Sequence, residues 1–172
     1  MIDRPQITHT VPQLTAFIHL TIPRHEIRSV MGPGLSEVRA AIAAQGIAPA
    51  GPWFTHHLRM DPAIFDFEIC VPVAVPVAAN GRVKSGQLPA TRVAWTVYHG
   101  PYEGLGAAWG EFDAWVADNG YTPGPDLWEC YLAGPESSAN PFTWRTELSR
   151  PLINPLIDPL IDQKQTFSGR AI

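Results

Sequence analysis

The predicted secondary structure of this chain repeats itself, because a strand, a helix and two further strands occur in the same order twice. The first predicted helix ends at Gly46, and Gly51-Pro52 precede the aromatic strand that follows it. The second helix ends at Gly120, and Gly124-Pro125 precede another aromatic strand. This shared order predicts a duplicated βαββ unit. Two such units can pair into one antiparallel sheet, so we expect an α+β fold with both helices on one face and a ligand groove on the other.

The individual elements are predicted from the spacing of apolar residues and from the glycines and prolines between them. The first helix is expected to begin near Pro33, because the first turn of a helix tolerates a missing N–H, and residues 24–31 can add an extra helical turn before it. The second extends from Gly100-Pro101 to Gly120, and its apolar stripe predicts that Trp109 is buried in the core. Residues 77–91 are interpreted as a linker. The predicted strands span residues 7–22, 53–60, 64–75, 92–99, 127–132 and 143–148.

Length and charge restrict the class of protein. The chain has 172 residues, enough for one domain with a substantial core, and we expect a domain over residues 1–152 and a proline-rich tail over 153–172. The net charge is −4 and basic residues form no stripe, which argues against direct binding of nucleic acid. No apolar stretch is long enough to cross a bilayer, and the N-terminus lacks the apolar core of a signal peptide.

Cysteine and histidine positions indicate a reduced protein without a metal. Cys70 and Cys130 lie far apart and form no C-x-x-C pair, so we expect free thiols and a cytoplasmic location. His56 and His57 are adjacent on a predicted strand, so their side chains point to opposite faces and cannot easily share one ion. The sequence also lacks a glycine-rich phosphate loop followed by lysine, and we therefore expect no cofactor.

Three segments of the second half carry a family resemblance. They are His99-Gly100-Pro101-Tyr102-Glu103-Gly104-Leu105, Trp128-Glu129-Cys130-Tyr131-Leu132, and the closing run from Glu147-Leu148 to Pro151-Leu152. The first half adds Gly51-Pro52, Phe67-Glu68-Ile69 and Val71-Pro72-Val73. Over residues 5–152 the sequence resembles the GyrI-like small-molecule-binding domain, which is also the effector-binding domain of AraC- and Mer-type activators.

The resemblance implies the double βαββ fold, a groove between the halves, and an acidic groove residue that meets cationic aromatic ligands. Glu129 occupies that motif position here. The resemblance also implies alternatives, since some stand-alone members hydrolyse cyclopropane-containing toxins and one inhibits gyrase. The run Ala133-Gly134-Pro135 departs from the family, which often has an acidic residue before this proline.

Strand alternation provides an independent argument for the groove residues. Glu129 and Tyr131 share one face of their strand, whereas Cys130 and Leu132 share the other. Because Cys130 and Leu132 suit a core and a lone charge does not, we expect Glu129 and Tyr131 to face the groove. An ion pair between Glu129 and an arginine at a sheet edge fits the residues equally well, and the resemblance favours the groove. The candidate ligand-binding residues are Glu129, Tyr131, Tyr102, Glu68, Trp53, Trp95 and His56.

Several of these candidates have a structural alternative. Glu68 fits a solvated strand face better than a ligand contact, and Tyr102 can instead fix the start of the second helix. Trp53 and Trp95 lie on strands and can face either the groove or the core. An aromatic wall in the groove would favour a flat cation through stacking and cation–π attraction.

The leading hypothesis from the sequence is a stand-alone module that binds hydrophobic, cationic small molecules. A second hypothesis is a hydrolase in which Glu129 activates water or accepts a proton, with help from Tyr131. A third is an inhibitor that binds a protein partner through the groove or the tail. The expected partners are thus a small molecule and, as alternatives, a protein or a second copy of the chain, without direct contact to nucleic acid or membrane.

Overall fold

The computed structural model describes residues 1–153, which fold into a mostly antiparallel sheet with helices packed on it. Within these residues there are two α-helices, α1 (Ile27–Ala44) and α2 (Leu105–Asp118), each preceded by a single 3₁₀ turn. The strands are β1 (Gln6–His9), β2 (Gln13–Pro23), β3 (Phe54–Met60), β4 (Ile64–Pro72), β5 (Lys84–Leu88), β6 (Arg92–His99), β7 (Thr122–Pro123), β8 (Leu127–Ala133) and β9 (Arg145–Ile153).

The strand order confirms the predicted duplication. The sheet runs β1-β6-β9-β8-β3-β4-β2-β5, with β7 paired to β9. One half is β2-α1-β3-β4 and the other is β6-α2-β8-β9, each in the order strand, helix, strand, strand. The halves join along β3 and β8, where Thr55 pairs with Glu129 and His57 with Leu127. We call this central pair of strands the seam.

Both helices pack on the same face of the sheet, as predicted. In the first half α1 covers Ile18 and Ile69, and a Cβ at Gly34 would collide with both side chains, so this helix lies very close to the sheet. In the second half α2 covers Ala94 and Leu148. The register connects the two regions, because Ile18, Ile69, Thr55, Glu129, Leu148 and Thr96 are successive cross-strand neighbours on one face.

The expected position of the groove on the helix-free face is wrong. The large cavity of the molecule is lined by both helices and by the seam strands, so it lies on the helix-bearing face. The physical reason is that each helix packs against the apolar core of its own half. The seam between the halves is therefore left uncovered between the helices.

Three local predictions also need correction. Helix α1 begins at Ile27 and contains Pro33, because an interior proline removes only one helical hydrogen bond and the packing at Gly34 holds the turn in place. The predicted linker contains β5, which pairs with β2 after a tight turn in which Gly81 has a φ of 58°. The predicted first strand is two strands, β1 and β2, separated near Pro12.

The predicted tail over residues 153–172 lies outside the described residues, except for Ile153 at the end of β9. The domain boundary at residue 152 therefore stays a prediction. Neither helix of the described residues is long and apolar enough to cross a membrane.

Candidate functional site

A cavity of about 810 Å³ lies over the seam between α1 and α2. Its wall is mostly apolar and aromatic, with rings contributed by Trp53, Phe65, Tyr102, Trp109, Tyr131 and Trp144. The carboxylates that line it belong to Glu103, Asp113, Glu129 and Glu136. The guanidinium groups belong to Arg24 and Arg28. A concave apolar site with a few polar groups is typical of a small-molecule pocket.

Glu129 lies on the floor of this cavity and is held by two neutral donors. The indole N–H of Trp109 donates to its Oε1 at 2.7 Å, and the hydroxyl of Tyr131 donates to its Oε2 at 2.9 Å. Among the described residues, Glu129 forms no ion pair with a Lys, Arg or His side chain. These donors orient the carboxylate without cancelling its charge, so the site suits a cation that brings the missing positive charge.

Tyr131 extends this hydrogen bonding below the cavity floor. Its hydroxyl lies 3.1 Å from Oγ1 of Thr55, which in turn lies 3.3 Å from Nε2 of His57. Because Tyr131 uses its proton on Glu129, Thr55 must donate to Tyr131 and His57 must donate to Thr55. Burial, followed by the charge of Glu129, raises the pKa of Tyr131 well above its usual value, so the phenol remains a donor.

His57 is a neutral member of this chain. Its ring stacks on Phe67 with centroids 5.3 Å apart and meets Phe65 edge-on at 5.4 Å. Burial lowers the pKa of His57 more than the nearby charge of Glu129 raises it. The cavity floor therefore carries a negative charge at Glu129 without a compensating imidazolium at neutral pH.

The aromatic wall surrounds the carboxylate. Trp53 stacks on Tyr131 with centroids 4.1 Å apart, and Tyr102 meets Tyr131 edge-on at 5.7 Å. Trp144 packs against Tyr102 at 4.8 Å. Burial, followed by the charges of Glu136 and Glu129, raises the pKa of Tyr102 to about 12. A Cβ at position 134 would collide with the Tyr102 hydroxyl, so Gly134 in the divergent Ala-Gly-Pro run makes room for this ring.

Trp109 contradicts the simple core interpretation of the α2 stripe. It packs against the α2 core but is only half buried, and its N–H points to Glu129. The buried guanidinium of Arg150 lies 5.4 Å from the Trp109 ring and is fixed by Asp113 at 2.8 Å. Arg150 is on β9, and sequence reasoning missed it because its contact with α2 depends on the long-range register.

Four of the seven candidate residues line the cavity, namely Glu129, Tyr131, Tyr102 and Trp53. The other three, Glu68, His56 and Trp95, lie on the opposite face, so the expectation that they line the same groove is wrong. His56 pairs with both Glu68 and Trp128, and Trp95 pairs with Ser149 on that face. Strand alternation puts the odd-numbered residues of β8, and Thr55 and His57 of β3, on the cavity face, and the register shift after His57 lets Met60 line the cavity as well. The cavity residues that sequence reasoning missed include His57, Arg24, Trp109 and Trp144.

The opposite face of the seam contains an ion cluster around His56. Its Nδ1 lies 3.2 Å from Glu68, and its Nε2 lies 2.9 Å from Asp126. Burial alone would lower the pKa of His56, but the hydrogen bonds and charges of Asp126 and Glu68 together raise it to about 9. The imidazolium and its two carboxylates therefore satisfy one another.

The sulfur chemistry of the described residues is simple. Cys70 and Cys130 are free thiols, and both pair with Phe54 across the strands. Burial raises the pKa of Cys130 to about 12 and also raises that of Cys70 well above its usual value. Within residues 1–153 no group of three or more His, Cys, Asp or Glu side chains is arranged to hold a metal ion.

Comparison with known proteins identifies the family and the fold. The model of the GyrI-like small molecule binding domain matches residues 12–153. A search of curated proteins found no match. The structure is similar to that of the EcmrR C-terminal domain, with a TM-score of 0.79 and 20% sequence identity over 88% of this chain and 98% of that one. In the complex of EcmrR with DNA, this chain covers 57% of the longer EcmrR chain.

Two further solved structures share the fold at lower similarity. SAV2435 bound to tetraphenylphosphonium has a TM-score of 0.60 and 12% identity, covering 88% of this chain and 95% of that one. A hydrolase from Listeria innocua also has a TM-score of 0.60 and 12% identity, covering 87% of this chain and 92% of that one.

Proposed function

This chain belongs to the family of GyrI-like small-molecule binding domains, and on that premise we propose that its cavity binds hydrophobic aromatic cations. The observation that carries the proposal is the carboxylate of Glu129, oriented by Trp109 and Tyr131 yet without a cationic partner among the described residues. SAV2435, which shares the fold, was solved with tetraphenylphosphonium bound, and this supports the same ligand class here.

The aromatic wall explains why such a cation would prefer the cavity to water. A positive charge beside Glu129 would also lie close to the rings of Trp53 and Tyr102, which pack on the buried Tyr131 and attract cations through their π electrons. The apolar parts of the ligand would displace water from the rest of the 810 Å³. Binding would therefore combine charge pairing with apolar burial, and only the first contribution depends on Glu129.

Glu129→Gln tests the proposal because it keeps the shape of the side chain and removes its charge. We expect the binding of tetraphenylphosphonium to weaken by about 1.5–3 kcal/mol, the scale of a pair of opposite charges several ångströms apart in a partly solvated site. The binding of neutral triphenylphosphine oxide should change little. Tryptophan-fluorescence titration of both compounds provides the measurement, since Trp53 and Trp109 line the cavity.

The matched control is Glu111→Gln on the exposed side of α2, which should leave both titrations unchanged. Equal losses for the cation and the neutral compound in Glu129→Gln would indicate a general disturbance of the cavity. No loss for either compound would reject Glu129 as the cation site.

A second candidate function is hydrolysis of a small electrophile. It is favoured by the continuous hydrogen bonding from His57 through Thr55 and Tyr131 to Glu129, which connects groups able to relay a proton. Glu129 would accept a proton from water as that water attacks the substrate, with Tyr131 in support. Turnover of an electrophile by the wild-type chain, abolished in Glu129→Gln while ligand binding persists, would establish the hydrolase instead of the simple binding module.

The third hypothesis, inhibition of a protein partner through the groove or the tail, stays a prediction, as does the cytoplasmic location. A pull-down of partner proteins with and without residues 151–172 tests the third hypothesis.

A further inference from the structure

The guanidinium of Arg24 is a second charged group on the cavity wall that is available to bind a ligand. Three other charges on the cavity wall are already paired: Arg28 and Glu103 contact each other at 2.9 Å, and Asp113 contacts the buried Arg150 at 2.8 Å. Arg24 contacts no carboxylate at ion-pair distance among the described residues. Glu136, the remaining carboxylate, is exposed to water beside Tyr102 at the rim.

Arg24 is nevertheless held in a fixed position. Its guanidinium carbon lies 4.1 Å from the centre of the Phe65 ring, and its Nη1 donates to the backbone carbonyl of Asp61 at 2.8 Å. The carboxylate of Asp61 does not compete, because it accepts from the backbone N–H groups of Ala63 and Ile64 in its own turn. A guanidinium has five N–H donors, so most of those of Arg24 remain available in a planar fork that matches a carboxylate.

Arg24 and Glu129 line the same cavity and belong to different halves of the molecule. Arg24 precedes α1 and packs on Phe65 of β4, whereas Glu129 lies on β8. The two are connected through His57, whose ring meets Phe65 edge-on at 5.4 Å and which pairs with Leu127, two residues before Glu129. The cavity is thus bipolar, with a carboxylate at the end built by the second half and a guanidinium at the end built by the first.

We propose that the cavity selects zwitterionic ligands, in which an aromatic cation at Glu129 carries a carboxylate that binds Arg24. This inference rests on the proposed function, because it extends the ligand class of the same cavity. It adds a specific requirement, namely that an anionic group on the ligand increases affinity although it lowers the ligand's net positive charge. A cavity in which Glu129 is the only charged group that contacts the ligand would instead bind the cation without a carboxylate more tightly.

Rhodamine B and its ethyl ester test this requirement, because they share the cationic ring system and differ in a free or a blocked carboxylate. Fluorescence anisotropy of the full chain gives both dissociation constants. We expect the wild-type chain to bind the free acid more tightly than the ester, and equal affinities would count against the proposal. Arg24→Gln should weaken binding of the free acid by about tenfold, the loss of a charge-assisted hydrogen bond, while the ester changes by less than about twofold. A strong preference of the wild-type chain for the ester would overturn the proposal.

The control variants separate the outcomes. Arg82→Gln removes an exposed arginine that pairs with Glu37 away from the cavity wall, and it should change neither constant. Arg24→Lys keeps the charge and should retain most of the preference for the acid, whereas a purely structural role would make lysine fail as glutamine does. Glu129→Gln should weaken the binding of both dyes equally. If Glu129→Gln does this but Arg24→Gln affects the acid and the ester alike, the anionic subsite is rejected and the cation site stands. If Glu129→Gln weakens the binding of neither dye, the proposed function itself fails.

Discussion

His56 and His57 are neighbours on β3, yet they lie on opposite faces of the sheet and in opposite electrostatic surroundings. His56 lies between Glu68 and Asp126, and its pKa is raised to about 9. His57 lies against Phe67 in the floor of the cavity, and burial lowers its pKa. On one face the charges satisfy one another, which is typical of a structural contact. On the other face a carboxylate is supported only by neutral groups, which leaves it available to a ligand.

The two histidines also limit stability at opposite ends of the pH scale. A group whose folded pKa is raised stabilises the fold below its unfolded pKa, and this stabilisation is lost as the pH rises through the folded value. For His56 that window runs from about pH 6.5 to about pH 9. For His57, whose folded pKa is lowered, the stabilisation is present above the unfolded value of 6.5 and is lost on acidification.

The largest expected effect comes from removing the ring that keeps His57 dry. Phe67 is fully buried and stacks on His57, so Phe67→Ala should lower the free energy of unfolding by about 3–5 kcal/mol. The pKa of His57 should rise toward its ordinary value as water enters. Chemical denaturation and an NMR titration of His57 give both quantities. Phe142→Ala, on a ring that is 78% exposed, is the control and should change stability by less than about 0.5 kcal/mol.

An intermediate effect is expected from the ion cluster on the other face. His56→Gln should reduce stability by about 1–2 kcal/mol below pH 6.5, allowing for partial solvent screening, and the difference should vanish above about pH 9. The cysteines also make the fold less stable at alkaline pH, but they do so equally in both proteins. Urea unfolding over this pH range provides the measurement, with the exposed His25→Gln as the control. A stability difference that is constant with pH would show that His56 is not charged in the fold.

The sequence was sufficient to predict the fold because its signals are local. Glycines after each helix and alternating apolar strands define two βαββ units, and the sheet follows from their pairing. Helix α1 shows where local rules are insufficient, since packing at Gly34 lets it continue through Pro33. The strand β5 was missed for a similar reason, because its pairing with β2 is a tertiary contact.

The candidate site was predicted only in part, because strand faces are defined by register. Alternation correctly put Glu129 and Tyr131 together, although the residues opposite them, Cys130 and Leu132, are not the ones beneath the helices. His56 was selected and His57 was the histidine in the cavity. Distinguishing them required the pairing of Thr55 with Glu129, which no local pattern encodes. Trp109 was assigned to the core because a helical stripe does not reveal that one of its members reaches a polar partner.

The smallest expected effect tests the neutral state of His57 through ligand binding. Its protonation would place a positive charge near Glu129 and would compete with a bound cation. Because the pKa of His57 is lowered, this competition should begin only below pH 6.5.

The variant His57→Gln tests this, because glutamine cannot titrate and its amide can still donate to Thr55. As the pH falls, we expect tetraphenylphosphonium affinity to decrease about two- to fivefold more in the wild-type chain than in the variant, the scale of one charge in a partly solvated site. Every other titratable group is the same in both proteins, so the difference between their titration curves isolates His57. Parallel curves would mean that His57 remains neutral throughout or lies too far from the bound cation to influence it.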